Sequence, residues 1–141
     1  MEPTESISSL LAAMKLGTLT STGLVERCLV RIETADRDLR AWVSVDARGA
    51  RADAARADDE LARGVMLGVL HGIPIGIKDI VDVAGTVTGA GSPLRMKSES
   101  PAERDAVLVT ALRPLAHRRH QPTPRPASLD PRFRCGQGNV Q

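Results

Sequence analysis

Ile7, Leu10, Leu11 and Met14 recur at i, i+3, i+4 and i+7, the stripe of a short amphipathic helix that Gly17 is placed to end. A second stripe, Leu24, Val25, Cys28, Leu29 and Ile32, follows Thr20-Ser21-Thr22, whose hydroxyls suit an N-cap. Ala41-Trp42-Val43-Ser44-Val45 then reads as a short strand. An alanine-rich helix is predicted from about Ala47 to Arg63. Its Ala50, Ala54, Ala57 and Leu61 line one side and are small enough for close packing.

The pattern changes at Leu70-His71-Gly72-Ile73-Pro74-Ile75-Gly76-Ile77-Lys78-Asp79. Here Ile73, Ile75 and Ile77 alternate with Pro74, Gly76 and Lys78, so a strand puts three isoleucines on one face. The opposite face carries two residues of little bulk and then a lysine. Pro74 places the strand start or an edge here, and the small neighbours leave room for a backbone or a substrate near the Lys78 amine.

Val81 to Leu94 contains Gly85, Gly89, Gly91 and Pro93 among short polar residues and reads as loop. Ser100-Pro101-Ala102-Glu103 carries the capping-box pattern, Ser at N-cap, Pro at N1 and Glu at N3, and predicts a helix from there to about Arg113. From Pro114 to Gln141 neither a helical nor a strand period is present, and we expect a disordered or poorly packed tail.

Composition sharpens that boundary. Residues 1–113 carry 14 Lys/Arg against 16 Asp/Glu, whereas residues 114–141 carry five Arg against one acid, Asp130. The overall formal charge of +2 hides this split. The division expected is therefore residues 1–113 as a folded part and 114–141 as a Pro/Arg-rich tail. With Trp42 and Phe133 its only aromatic residues, the chain must build its core from Leu, Ile, Val and Ala. That favours helices packed on a sheet, an α/β fold. Cys28 and Cys135 match no metal or redox spacing. No signal peptide or membrane span is recognisable, so a cytoplasmic location away from membranes is expected.

Few residues offer chemistry on their own. Lys78 is a candidate general base only if its amine is neutral, which requires desolvation or neighbouring positive charge. His71, a turn histidine beside Gly72, reads as structural. Ser92, in Gly89-Ala90-Gly91-Ser92, lacks the Gly-x-Ser-x-Gly setting of a nucleophile elbow and reads as loop-shaping. The surrounding glycines match neither phosphate-loop nor dinucleotide patterns. His117 and His120 lie among prolines that oppose the fixed geometry a metal needs. Neither cofactor nor metal is expected.

The run Leu70–Asp79, followed by Val81-Asp82-Val83-Ala84-Gly85 and Thr88-Gly89-Ala90-Gly91-Ser92, resembles the amidase signature family. The order of the preceding helices and strand is similar too, and the resemblance extends over about residues 5–113. It implies the N-terminal part of a mixed sheet flanked by helices, incomplete here. It also implies a Ser–cis-Ser–Lys triad acting on carboxamides, in hydrolases or in the amidase-like component of glutamyl-tRNA amidotransferase. By resemblance Lys78 takes the role of general base towards the bridging serine, which relays the proton from the nucleophilic serine. The family's serines lie in a Gly/Ser-rich segment well beyond the lysine, and no Gly-Gly-Ser-Ser-Gly-like run occurs in these 141 residues. The chain alone is therefore expected to be inactive.

After the helix ending near Arg113, the family continues with an Ala/Gly link, an apolar strand and a Gly-Lys/Thr-Thr-Asn turn. This chain has Pro114-Leu115-Ala116-His117-Arg118-Arg119-His120-Gln121 instead. Codons for residues 117–121, read one base later, permit Ile-Val-Gly-Thr-Asn. Out-of-frame GC-rich DNA also yields Arg, Pro, His and Ala, so a frameshifted or truncated gene is expected. Two other readings compete: an interaction module docking on a partner, and an unspecific phosphate contact through the tail's arginines. Specific nucleic-acid recognition is not expected, because the tail lacks interleaved aromatics. Oligomeric state is left open.

Overall fold

The computed structural model describes residues 5–65, 68–116 and 133–135. Helix α1 spans Ile7–Lys15 and starts at Ser6, whose side chain accepts from the Ser9 amide. Met14 is its buried residue, and Gly17 follows at a φ of +70°. Helix α2, Ser21–Leu39, is capped by Thr20, whose hydroxyl accepts from the Gly23 amide. Leu24, Val25 and Leu29 are buried on its inner face. Strand β1 is Trp42–Val45 and helix α3 is Ala47–Ala62, capped by Asp46.

The alanine stripe of α3 does what its small side chains allow. Ala50, Ala54 and Ala57 are all buried, and Ala50 and Ala54 meet Val25 and Leu29 of α2 in one apolar cluster. Ile32, Trp42, Val45 and Ala47 close around it. A polar side chain completes the joint. The Asp58 carboxylate, on α3, accepts from the amides of Ser21 and Thr22 at 2.6 and 3.0 Å and from the Thr22 hydroxyl at 2.7 Å. It so satisfies N–H groups at the start of α2 that have no partner within that helix.

Strand β2 is Gly76–Lys78, shorter than the isoleucine alternation predicts. Ile73 is instead held in a turn, its amide donating to Leu70 O at 3.0 Å, and Pro74 has no amide to give a ladder. Ile77 is buried with Val83 and Val109, and Ile75 and Leu112 pack against them, forming a second apolar cluster. Helix α4, Pro93–Ser98, starts in the last two residues of the expected loop and runs four beyond it, with Ser92 as its cap and Pro93 in its first turn.

Helix α5, Val107–Ala116, begins seven residues beyond the predicted cap at Ser100 and runs three beyond Arg113. The capping signal is overridden by pairing with the preceding loop. Ala102 donates to Thr86 O at 2.9 Å and accepts from Gly85 N at 2.8 Å, while Ala106 N donates to Asp82 O at 2.9 Å. Residues so tied cannot also wind into a helix.

A third strand, β3, is Phe133–Cys135, where the sequence shows no strand period. It lies between the other two, antiparallel to β1 and parallel to β2. Trp42 and Val45 of β1 pair with Cys135 and Phe133, with a register shift between Trp42 and Ser44. Gly76, Ile77 and Lys78 pair in order with Phe133, Arg134 and Cys135. The remainder of the expected tail, including His117 and His120, lies outside the described residues.

Candidate functional site

Lys78 closes β2 and is half-buried. The chain turns at once, Val81 N donating to Lys78 O at 3.0 Å. What fixes the surroundings of the lysine is the next residue. Asp79 is 2% exposed. Its side-chain Oδ1 accepts from Gly89 N at 3.2 Å, and its backbone carbonyl accepts from Ala90 N at 2.8 Å. One aspartate thus ties the glycine loop to the end of the lysine strand through both its side chain and its main chain.

The loop must approach closely for this to work. A methyl group at Gly89 would stand 2.9 Å from Asp79 Oδ2 and 2.5 Å from Met96 Sδ. Thr88 Oγ1 donates to Asp82 Oδ1 at 2.7 Å on the same loop. Ser92 Oγ accepts from Arg95 N at 3.3 Å, which gives the hydroxyl a capping task and fits the loop-shaping role expected of it.

Two further contacts hold the segment against its neighbours. Upstream, His71 is fully buried and its Nε2–H donates to Ala57 O of α3 at 2.9 Å; Nδ1 is buried without a hydrogen-bond partner. A carbonyl can only accept, so the proton sits on Nε2. Gly72 follows at a φ of +70°, where an added Cβ would meet Ser21 Cβ and Oγ at 3.0 Å, and its carbonyl accepts from Ser21 Oγ at 2.7 Å. Only glycine meets both demands. Downstream, Asp105 Oδ1 accepts from Ala84 N at 2.9 Å and from Arg113 Nη2 at 2.8 Å, and the Arg113 Nε–H donates to Oδ2. The pair is largely buried, at 17% side-chain exposure for Arg113 and 11% for Asp105.

Gly76 lets the Trp42 ring lie against the strand; a Cβ there would meet Cη2 at 3.0 Å. Grooves beside this contact are lined by Cys28, Ile32, Leu39 and Pro74, and by Val25, Ala54, Ile73 and Ile75. Lys78 lines neither. Burial pushes the Cys28 thiol above its ordinary value, against the opposing charges of Arg27 and Arg31. Sequence reasoning singled out Lys78, His71 and Ser92. It missed Asp79, Asp58 and Asp105 as organisers, since nothing local announces a carboxylate whose partners lie far along the chain.

The family model for amidases matches residues 23–116, and the chain belongs to the amidase family. It is 40% identical over 87 residues to the A component of the glutamyl-tRNA(Gln) amidotransferase of Chloroflexus aggregans, covering 62% of this chain and 18% of that protein. It is 41% identical over 95 residues to the putative amidase AmiD of Mycobacterium bovis, covering 67% of this chain and 20% of that one. Among solved structures, the native peptide amidase of Stenotrophomonas maltophilia superposes with a TM-score of 0.72 at 30% identity, over 97% of this chain and 25% of that enzyme. The chain thus spans about a fifth of the length of these curated relatives. Among the described residues, no helix is long and apolar enough to cross a membrane.

Proposed function

We propose that this chain supplies the lysine limb of a carboxamide-hydrolysing Ser–cis-Ser–Lys site, with Lys78 as the general base, and that the 141 residues alone do not turn over. The observation that carries the reading is the placement of Lys78 at the end of β2, with the buried Asp79 fastening the Gly89–Ser92 loop beside it. A base so placed needs a hydroxyl to deprotonate. The attacked carbonyl also needs backbone donors for its oxyanion, a large share of the stabilisation in acyl transfer. By this reading both serines and those donors come from a Gly/Ser-rich segment outside these residues.

Two measurements test it. The purified chain and its Lys78→Ala variant should release the same background of ammonia from carboxamides; Lys78-dependent release would refute the inactivity. A chimera carrying residues 23–113 in place of the corresponding part of a peptide amidase should hydrolyse peptide amides. Lys78→Ala in that chimera should abolish the activity; a chimera that folds, turns over and is indifferent to Lys78→Ala would refute the role. The frameshift part of the reading is settled by the nucleotide sequence from codon 110 onward, which should resume family-like sequence in another frame.

A second reading, a non-catalytic module docking on a partner, is favoured by α5. Its inner Val109 is buried, yet Val107 and Leu108 are 88% and 56% exposed. A helix apolar on two sides is suited to cover from both. Under that reading the folded chain forms a stable complex without contributing Lys78 to any reaction.

A further inference from the structure

The larger of the two grooves combines an apolar floor with a cation that lacks a counterpart. It follows the face of α2 on which Cys28, Ile32, Ala35 and Leu39 come at successive turns, and Trp42 and Pro74 line it from outside that helix. Its volume is about 310 Å³, at the small end of ligand pockets, which run to roughly 300–1,000 Å³. Leu39, the last residue of α2, is 66% exposed, so the groove has uncovered apolar surface to offer.

Two charged residues line this groove, and they are in different states. Asp36 Oδ1 accepts from the amides of Ala41 and Trp42 at 2.6 and 3.0 Å, so its charge is already answered by the chain. The Arg31 guanidinium has no hydrogen-bond or ion-pair partner among the described residues, whereas Arg27, one turn earlier, pairs with Glu5 at 2.5 Å. Polarity along the groove therefore runs one way. Arg31 is positive, and towards Leu39 stand Asp36 and the C-terminal carbonyls of α2, both negative. A complementary occupant has its anion at Arg31 and its apolar body towards Leu39. That end lies about 12 Å further along the helix axis at 1.5 Å per residue.

We infer that this groove is a binding site for a small molecule with an apolar body and a single carboxylate. Arg31 holds the carboxylate, and the body covers Ile32, Leu39 and the Trp42 ring. An amine would meet the like charge of Arg31, and an uncharged body would leave that charge unanswered. Lys78 does not line the groove, so the inference stands or falls apart from the role given to that residue.

The probe is octanoate, with 1-octanol and octylamine as controls of the same body. Trp42 is the only tryptophan and lines the groove, so its emission follows occupation. Cys28 answers independently through its rate of alkylation by iodoacetamide, read by peptide mass spectrometry to separate it from Cys135. Octanoate should shift the emission saturably in the millimolar range and slow Cys28 alkylation with the same dissociation constant. Both controls should bind about fivefold more weakly. Arg31→Gln should weaken octanoate about fivefold and leave 1-octanol unchanged, while Arg31→Lys keeps most of the affinity. Shortening the body should cost up to about fourfold per methylene. Arg31 is exposed, so both variants should keep the helical circular dichroism of the parent; the comparison of octanoate with 1-octanol on the unaltered chain needs no variant at all. Octanoate no tighter than 1-octanol, a folded Arg31→Gln chain without effect, or no saturable change in either readout overturns the proposal. Protection of Cys28 that rises with protein concentration in the absence of octanoate gives the groove to a second copy of the chain, and overturns it as well.

Discussion

Residues 21–62 and residues 70–113 are held together by different physics. In the first region, α2 and α3 meet through small and branched apolar side chains at helical spacing, with Val25, Leu29, Ala50 and Ala54 at the centre. Asp58 adds a polar tie across the two helices. In the second region the apolar cluster is small, centred on Ile77, Val83 and Val109. The backbone there is placed mainly by single polar side chains reaching across the sequence: His71 to Ala57, Asp79 to Gly89, Asp105 to Ala84 and Arg113. The periodic region is held by packing along two helical stripes. The lysine-bearing region is a hydrogen-bonded assembly in which one residue fixes many.

That contrast can be broken most sharply at Arg113. Arg113→Ala leaves a mostly buried Asp105 carboxylate without its cation, and the loss in urea unfolding should be about 3 kcal/mol. The double variant with Asp105→Asn should lose less than the sum of the two singles, because they share one interaction. Next comes His71→Ala, expected to cost about 2–3 kcal/mol by leaving a cavity and one hydrogen bond fewer on α3. If either variant is as stable as the parent, polar ties do not hold the second region.

Changes in the first region should be milder. Asp58→Ala removes the acceptor for two amides at the start of α2 and should cost about 1–2 kcal/mol, read from the same denaturation curves. The smallest effect belongs to Glu26→Gln. The Arg51 guanidinium, hydrogen-bonded to Glu26 at 2.5 and 3.0 Å, holds the carboxyl below its ordinary 4.5. A depressed carboxyl stabilises the fold above its unfolded value and loses that contribution as pH falls past it. Both partners are open to solvent, so the stability curves of parent and variant should nearly coincide, differing if at all on the neutral side and merging in acid. A clear separation at neutral pH would show that surface ion pairs matter more to α2 and α3 than packing does.

The same division explains what could be read from the sequence. The stripes Leu24–Ile32 and Ala50–Leu61 are local patterns whose partners need not be known to infer a buried face, and α2 and α3 appear where those stripes lie. Membership of the amidase family was legible from the Leu70–Ser92 run, and the family match covers that run. Beyond that, local signals failed where distant groups outbid them. Ser100-Pro101-Ala102-Glu103 is a sound cap by composition, but Ala102 is claimed by Gly85 and Thr86. The isoleucine alternation overstates β2 because Ile73 is taken into a turn. Strand β3 has three residues, too few to show a period, and its place depends on two edges far away in the chain. Asp79 could have been suspected from an acid set directly after an apolar strand, though not the amide it binds.

The packing of Trp42 against Gly76 has a practical corollary. The molecule holds a single indole, and it lies on the strand that ends in Lys78. Emission from that ring therefore reports on the seating of the lysine strand against β1 and on the α2–α3 cluster that the same ring closes. A red shift at denaturant concentrations too low to melt the helices would mark that strand lifting away first. The chain thus carries a built-in optical gauge of the part of it nearest to chemistry.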